Sequence, residues 1–260
     1  MISEIHNKIS STGSNLSERL EDKLTGDFFG TLRYLSFELG FRNVLSQVRF
    51  ETDESKLQWK LMLDRIRGYD MEYRFWPSHP EGEIDLLIDH PETLIGIEVK
   101  YLSSLSSEDE DPLAVIKPEE SRNQLARYAR MIHSVGADRQ KFLVFLAPLD
   151  ILLPVERTMR NRPIIRSDIS LGFLSWQEVL ESLQELDTGT LEIGQRLILK
   201  DITDLLLKKG FVRFRGFSSG LETIELNDSA YHYQGKRQRF ETLVWPENPI
   251  KENKSYVYRK

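Results

Sequence analysis

The chain contains no cysteine, which excludes disulfide bridges and thiolate metal sites and fits a reducing compartment. No apolar run approaches the roughly 20 residues that span a bilayer, and no charged-then-apolar leader pattern opens the sequence. The expectation is a cytoplasmic protein with no membrane partner. The five histidines show no paired metal-ligand spacing. A Gly-x-x-x-x-Gly-Lys phosphate loop is missing, which argues against ATP hydrolysis by this chain. The Gly-x-Ser-x-Gly elbow of one hydrolase class is missing too. There is no internal repeat, and no linker is rich enough in Pro, Gly or Ser to mark a firm domain boundary.

What is present is ordinary in bulk and uneven in detail. With 260 residues, 40% of them hydrophobic and 29% charged, the chain can bury a substantial core. A net charge of −6 argues against a nonspecific nucleic-acid coat. Acidic residues dominate positions 1–120, whereas basic ones exceed them in positions 205–260. The basic C-terminal quarter is therefore the better place to look for a phosphate-contacting surface, unless the asymmetry is incidental.

The most informative stretch runs from Glu83 to Lys100. Two apolar, β-branched runs, Ile84 to Ile88 and Leu94 to Lys100, are separated by the turn residues His90, Pro91 and Glu92, and predict a hairpin. Alternation puts Glu98 and Lys100 on one side, about 6.6 Å apart at about 3.3 Å per residue, with Ile97 and Val99 opposite. On the first strand Ile84, Leu86 and Ile88 are expected on one face and Asp85 on the other. Two carboxylates and an ammonium can thus converge at one sheet edge. Carboxylate oxygens are hard ligands suited to Mg²⁺, which polarises a phosphodiester and acidifies a bound water. Lys100 can orient that water or offset transition-state charge. The same spacing also describes a solvated charge pair on an edge strand.

The remaining segments supply the surroundings. Asn15 and Glu18 form a capping-box signature for a helix running to about Leu39, with Leu20, Leu24, Phe28, Leu32 and Leu35 as its apolar stripe. Capping does not explain Glu21 and Asp22. Val44 to Glu51 has strand-like alternation, Leu57 to Ile66 reads as helix or strand, and Met71 to Trp76 is aromatic-rich. The Ser-rich, acidic run from Ser103 to Asp111 is expected to be a mobile loop, placed to act as a flap. Pro118 opens a helix to about Ser134 in which Gln124 and Tyr128 share a face, with Arg127 beside them. Lys141 to Pro148 is a central strand, and Ile169 to Leu174 is another. Ser175 to Glu178 is a second capping box, and Gly194 to Lys209 a further helix. Arg157, Arg160 and Arg162 form a cluster suited to phosphate, although an Arg-rich surface loop needs no ligand. Arg213 and Arg215 alternate with aromatic residues as in a base-stacking strand, or equally as in a half-buried one.

The order Asp85, Glu98-x-Lys100 resembles the PD-(D/E)xK nuclease superfamily. The proline of its name is absent here, since Ile84 precedes Asp85. The segment Leu20 to Phe29 looks like the superfamily's N-terminal helix, with Glu21 as the matching acid. Gln124-x-x-x-Tyr128 is similar to the pair found after the Glu-x-Lys strand in several branches. The resemblance implies an α/β, restriction-endonuclease-like fold with a mixed β-sheet flanked by α-helices. A core over residues 1–150 would carry a C-terminal α+β extension over 151–260. It implies Mg²⁺- or Mn²⁺-dependent phosphodiester hydrolysis, with Asp85, Glu98 and Glu21 as metal ligands and catalytic residues, Lys100 positioning water, and Gln124 and Tyr128 supporting them. Arg127, Arg157, Arg160, Arg162, Arg213 and Arg215 would contact nucleic acid, most simply DNA. The protein would act as a homodimer or with a partner in a defence complex. The alternative is a catalytically silent nucleic-acid-binding or partner-binding subunit that keeps the fold.

Overall fold

The computed structural model describes residues 16–111 and 116–213, all within one compact unit. Asn15, Arg215 and the basic tail from Tyr231 lie outside the described residues. The first elements are α1 (Leu16–Leu32), α2 (Phe41–Leu45), β1 (Arg49–Phe50) and α3 (Asp53–Arg65). β2 (Glu72–Phe75), the short pair β3 (Ser78–His79) and β4 (Gly82–Glu83), and the hairpin β5 (Leu86–His90) and β6 (Thr93–Val99) follow. The second half holds α4 (Gln124–Gly136), β7 (Gln140–Ala147), α5 (Leu149–Arg160), β8 (Ser170–Ser175), α6 (Trp176–Gln184) and α7 (Ile193–Lys208).

Six strands form one mixed sheet in the order β1-β8-β7-β6-β5-β2. β6, β7 and β8 run parallel, and the outer pairings are antiparallel. A parallel centre must be covered on both faces. β6 is buried at every position, and β7 is buried from Phe142 onward. One face packs Leu86, Ile97, Val99 and Val144 against α1, α2, α3, α6 and α7. The other packs Leu94, Leu143 and Phe145 against α4 and α5. The sheet does not stop at residue 150, because β8 pairs with β7 from Phe142↔Ser170 to Ala147↔Ser175.

Several boundaries differ from the periodicity. α1 stops at Leu32, not near Leu39, because Phe37 turns inward and donates to the Gly68 carbonyl at 2.8 Å. Val44 is helical, and only Arg49 and Phe50 remain of the expected strand. Leu57 to Ile66 resolves as helix, capped by Thr52, whose side chain accepts from Ser55 N. Ile84 faces α4, opposite Leu86 and Ile88, because regular pairing begins only at Leu86. The helix expected from Pro118 begins at Gln124, where the Asn123 side chain accepts from Leu125 N and Ala126 N. The carbonyls of Pro118 and Ser121 are taken instead by Arg130 Nη1, at 2.6 and 3.0 Å.

Candidate active site

β6 ends where its two neighbours diverge in role. Backbone pairing with β5 runs from His90↔Thr93 to Leu86↔Ile97. At the next position the Asp85 carboxylate replaces the main chain, Oδ2 accepting from Val99 N at 2.8 Å. Its Oδ1 accepts from Trp76 Nε1 at 3.2 Å. Trp76 reaches it from a left-handed backbone, φ 48°, a conformation costly for a bulky residue and tolerated where the surroundings enforce it. On the other side β6 and β7 stay paired, Lys100 N donating to Leu146 O at 2.7 Å.

Alternation places Glu98 on the α4 face with Leu94 and Gly96, as the strand period requires. Gly96 lets α4 sit close. A Cβ there would stand 2.6 Å from Ile132 Cδ1 and 2.7 Å from Ile84 Cδ1. α4 therefore brings Gln124, its first residue, over Glu98. Gln124 Nε2 donates to Glu98 Oε1 at 2.7 Å, and its Oε1 accepts from Ser106 N at 2.9 Å. Tyr128 Oη lies 3.1 Å from Gln124 Nε2 and donates to the Glu83 carbonyl at 2.8 Å. Glu83 contributes that carbonyl, while its side chain is exposed.

α1 approaches from the opposite face of the sheet. Glu21 Oε2 accepts from Tyr101 N at 2.9 Å and Ser103 Oγ at 2.8 Å. Lys100 closes the group, its Nζ 3.1 Å from Glu21 Oε1 and 2.8 Å from Glu98 Oε1. Glu21, Asp85, Glu98 and Lys100 are between 2% and 8% exposed. Residues from α1, the β5 entry, β6 and α4 thus meet in one buried polar cluster.

Its electrostatics are those of crowded, desolvated acids. Burial pushes the Asp85 carboxyl up to about 6, against a smaller opposing pull from Lys100 and Val99 N–H. Burial, then the charge of Asp85, holds Glu98 well above the usual carboxylate range. Burial works against the charge of Lys100, but Glu98, Glu21 and Asp85 outweigh it and raise its pKa. Among the described residues, four buried side-chain polar atoms have no partner: Thr25 Oγ1, Glu98 Oε2, Ser107 Oγ and Arg162 Nε. Thr25 lies one helical turn beyond Glu21, and Ser107 adjoins the Gln124 contact, so three of the four belong to segments that meet around Lys100.

As placed, no group of three or more His, Asp or Glu side chains is gathered tightly enough to hold a metal ion among the described residues. The ammonium of Lys100 sits between Glu21 and Glu98. The donor chemistry nevertheless fits a hard divalent cation. Asp85, Glu98 and Glu21 supply carboxylate oxygens, Glu98 Oε2 is unclaimed, and three acids outnumber one base in a desolvated space.

The acidic run after Lys100 is tied down instead of loose. Asp109 accepts from Ser121 Oγ at 2.7 Å and Arg122 N at 2.6 Å. Glu108 accepts from Asn123 Nδ2 at 2.8 Å. Arg162, expected on a phosphate surface, is 8% exposed, and its guanidinium donates to Glu108 and Asp109 at 2.8 and 2.5 Å. Arg127 is half-buried beside Gly82, and Arg157 is exposed. Arg160 pairs with Glu156, and Arg213 lies near Glu178 and Glu181. Sequence reasoning reads Trp76 as a core residue, which its burial bears out, without foreseeing its bond to Asp85, and it passes over Asn123 and Ser106. Of these only Asn123 had a signal, an N-cap residue type directly before an amphipathic helix. No helix of the described residues is long and apolar enough to cross a membrane. No family model, curated protein or solved structure matches the chain.

Proposed function

We propose that this chain is a metal-dependent nuclease of the PD-(D/E)xK type with a restriction-endonuclease-like fold. It hydrolyses phosphodiester bonds, in DNA first of all, and serves in defence against foreign DNA. The observation that carries the reading is the meeting of Glu21, Asp85, Glu98, Lys100, Gln124 and Tyr128 in one buried cluster, although they come from four separated chain segments. Buried acids with raised pKa values beside a lysine are costly to a fold and mark functional sites more often than structural ones.

Asp85, Glu98 and Glu21 would hold Mg²⁺ or Mn²⁺, which when bound supplies Lewis-acid polarisation of the phosphate and a more acidic water. Lys100 keeps its proton and presents a fixed positive charge toward the attacked phosphate. Gln124 holds the Glu98 carboxylate in orientation, and Tyr128 holds Gln124. Glu21 steadies the ammonium from the opposite side.

The test is cleavage of linear and covalently closed circular DNA with Mg²⁺, Mn²⁺ or chelator, alongside Lys100→Ala and Asp85→Ala. Metal-dependent cutting that both substitutions abolish supports the reading. An active Asp85→Ala protein, or a metal-independent reaction, overturns it. A second reading, a silent nucleic-acid-binding or partner-binding subunit, is favoured by one feature. Both Asp85 oxygens already accept hydrogen bonds, and Lys100 is held by two carboxylates. Such a subunit binds nucleic acid equally well with chelator present and cuts under no condition.

A further inference from the structure

The parallel strands β6, β7 and β8 all point the same way, so Lys100, Leu149 and Trp176, which follow them, lie at one end of the sheet. Beyond β8, at the β1 edge, a cleft of about 540 Å³ opens between α5 and α6. Four arginines line it: Arg49 of β1, Arg157 and Arg160 of α5, and Arg213 after α7. Two glutamates line it with them, Glu156 and Glu178.

These charges are layered. The carboxylates lie beneath, with side chains 9% and 16% exposed, while Arg49, Arg160 and Arg213 are 34%, 53% and 39% exposed. Arg49 bridges both acids, donating to Glu156 Oε2 at 3.1 Å and to Glu178 Oε1. Arg160 takes the other Glu156 oxygen at 2.6 Å. The second Glu178 oxygen is committed to the α6 cap, accepting from Ser175 N and Oγ at 2.9 and 2.7 Å. Arg157 has no acidic partner among the described residues. Glu156 and Glu178 therefore hold Arg49 and Arg160 in place, and the four cations exceed by one the three acids beside them, since Arg213 also lies 3.7 Å from Glu181. A concave surplus of positive charge on a chain of net charge −6 is a local design and not a reflection of overall composition. A larger cleft of about 770 Å³ shares Arg160 and Asn161 and runs toward the starts of β7 and β8, where Arg139 and Arg166 line it together with Glu51, Glu54 and Asp168.

We propose that this cleft is a docking surface for the phosphodiester backbone of DNA. Guanidinium forks match phosphate oxygens bidentately, and their fixed aim lowers the ordering cost of binding. From β6 to β1 is three strand spacings, about 14 Å at about 4.8 Å each. The β1 edge that carries Arg49 is thus separated from β6 by that distance across the sheet. The surface deepens the nuclease reading, but its binding is measurable without cleavage.

The experiment is fluorescence anisotropy of the full chain in chelator, across a salt series, with a labelled DNA duplex in one arm and a labelled RNA single strand in the other. Arg157→Glu, at an arginine with no acidic partner among the described residues, and the triple variant Arg157→Ala, Arg160→Ala, Arg213→Ala are compared with Arg65→Ala, an exposed arginine paired with Glu92 away from the cleft. The slope of log affinity against log salt is expected to fall by about 0.9 per arginine removed on duplex. Arg65→Ala should leave affinity and slope unchanged. The loss is expected in the duplex arm, and a loss confined to the RNA arm overturns the proposal. Wild-type affinity and slope in the cleft variants, or no salt-dependent binding by the parent in either arm, overturn the proposal. Metal-dependent cutting that survives those variants would leave the nuclease reading standing. Binding lost in them, without cutting by the parent, would leave the cleft standing and remove the nuclease.

Discussion

Gln124 Nε2 donates to Glu98 Oε1 at 2.7 Å across 26 residues of sequence, and the same glutamate's other oxygen has no partner in its buried setting. One oxygen is thereby fixed and the other left available. Gln124→Ala removes the fixing bond without touching a candidate ligand. Cleavage is expected to fall about 10- to 100-fold, the range for outer partners of metal-binding side chains, with KM nearly unchanged. Tyr128→Phe, which still packs but releases the Glu83 carbonyl, should cost less. Steady-state kinetics in Mg²⁺ check both.

The acids weigh against the fold that holds them. Asp85 ordinarily titrates near 3.8 and is pushed up to about 6 in the folded chain. Between those values the unfolded chain gives up a proton that the folded chain retains, so stability declines as pH rises through that window. Below it both states are protonated and the difference vanishes. Asp85→Asn and Glu98→Gln should therefore melt with the parent near pH 4 and above it at pH 8 in chelator, while cutting no substrate. Thermal melts across that range decide it, and parent and variants melting alike at pH 8 would refute the electrostatic account.

Arg162 is a structural pin. Removing its guanidinium strands the buried Asp109, whose side chain is 3% exposed. Breaking a buried pair in this way costs about 3–5 kcal/mol. Arg162→Ala should lose stability on that scale by urea unfolding, and Arg162→Ala with Asp109→Asn should recover some of it. Because Glu108 also holds the Asn123 cap of α4, amide exchange at Leu125 and Ala126 should quicken in the single variant.

A different pH dependence belongs to Asp168. Burial favours its neutral form, but His133 and Lys141 outweigh that and draw the carboxyl down to about 2. Its contribution to stability is complete above its ordinary value near 3.8 and is lost as pH falls toward 2. Asp168→Asn should melt below the parent at pH 5, with the gap closing toward pH 2. A gap that stays constant over that range would show that the cluster with His133, Lys141 and Arg166 does not act through charge.

Much of this site is legible in the sequence because it rests on local rules. The strand period alone puts Glu98 and Lys100 together and turns Ile97 and Val99 away. The Ser175 and Glu178 box is formed as written, with both reciprocal bonds present. Helical spacing puts Gln124 and Tyr128 on one face. What the sequence withholds is set by partners far along the chain. α4 starts late because Asp109 claims Arg122 N and Arg130 claims two carbonyls upstream. α1 stops early because Leu35 and Phe37 are drawn into the core. Arg162 and Arg157 look equivalent in sequence, yet one is buried among acids and the other faces solvent. Burial of an arginine depends on which carboxylates the fold happens to bring beside it.

The last rung of the β5 and β6 ladder is a side chain. Val99 N–H is held by the Asp85 carboxylate where a backbone carbonyl would ordinarily serve. A carboxylate carries charge, takes up a proton in the ordinary pH range and sits on a side chain that can turn toward a cation, whereas a neutral peptide carbonyl in a strand is held by its chain. Occupation of the acidic cluster and closure of this end of the hairpin therefore compete for the same oxygen. Exchange of the Val99 amide becomes a gauge of whatever enters beside it.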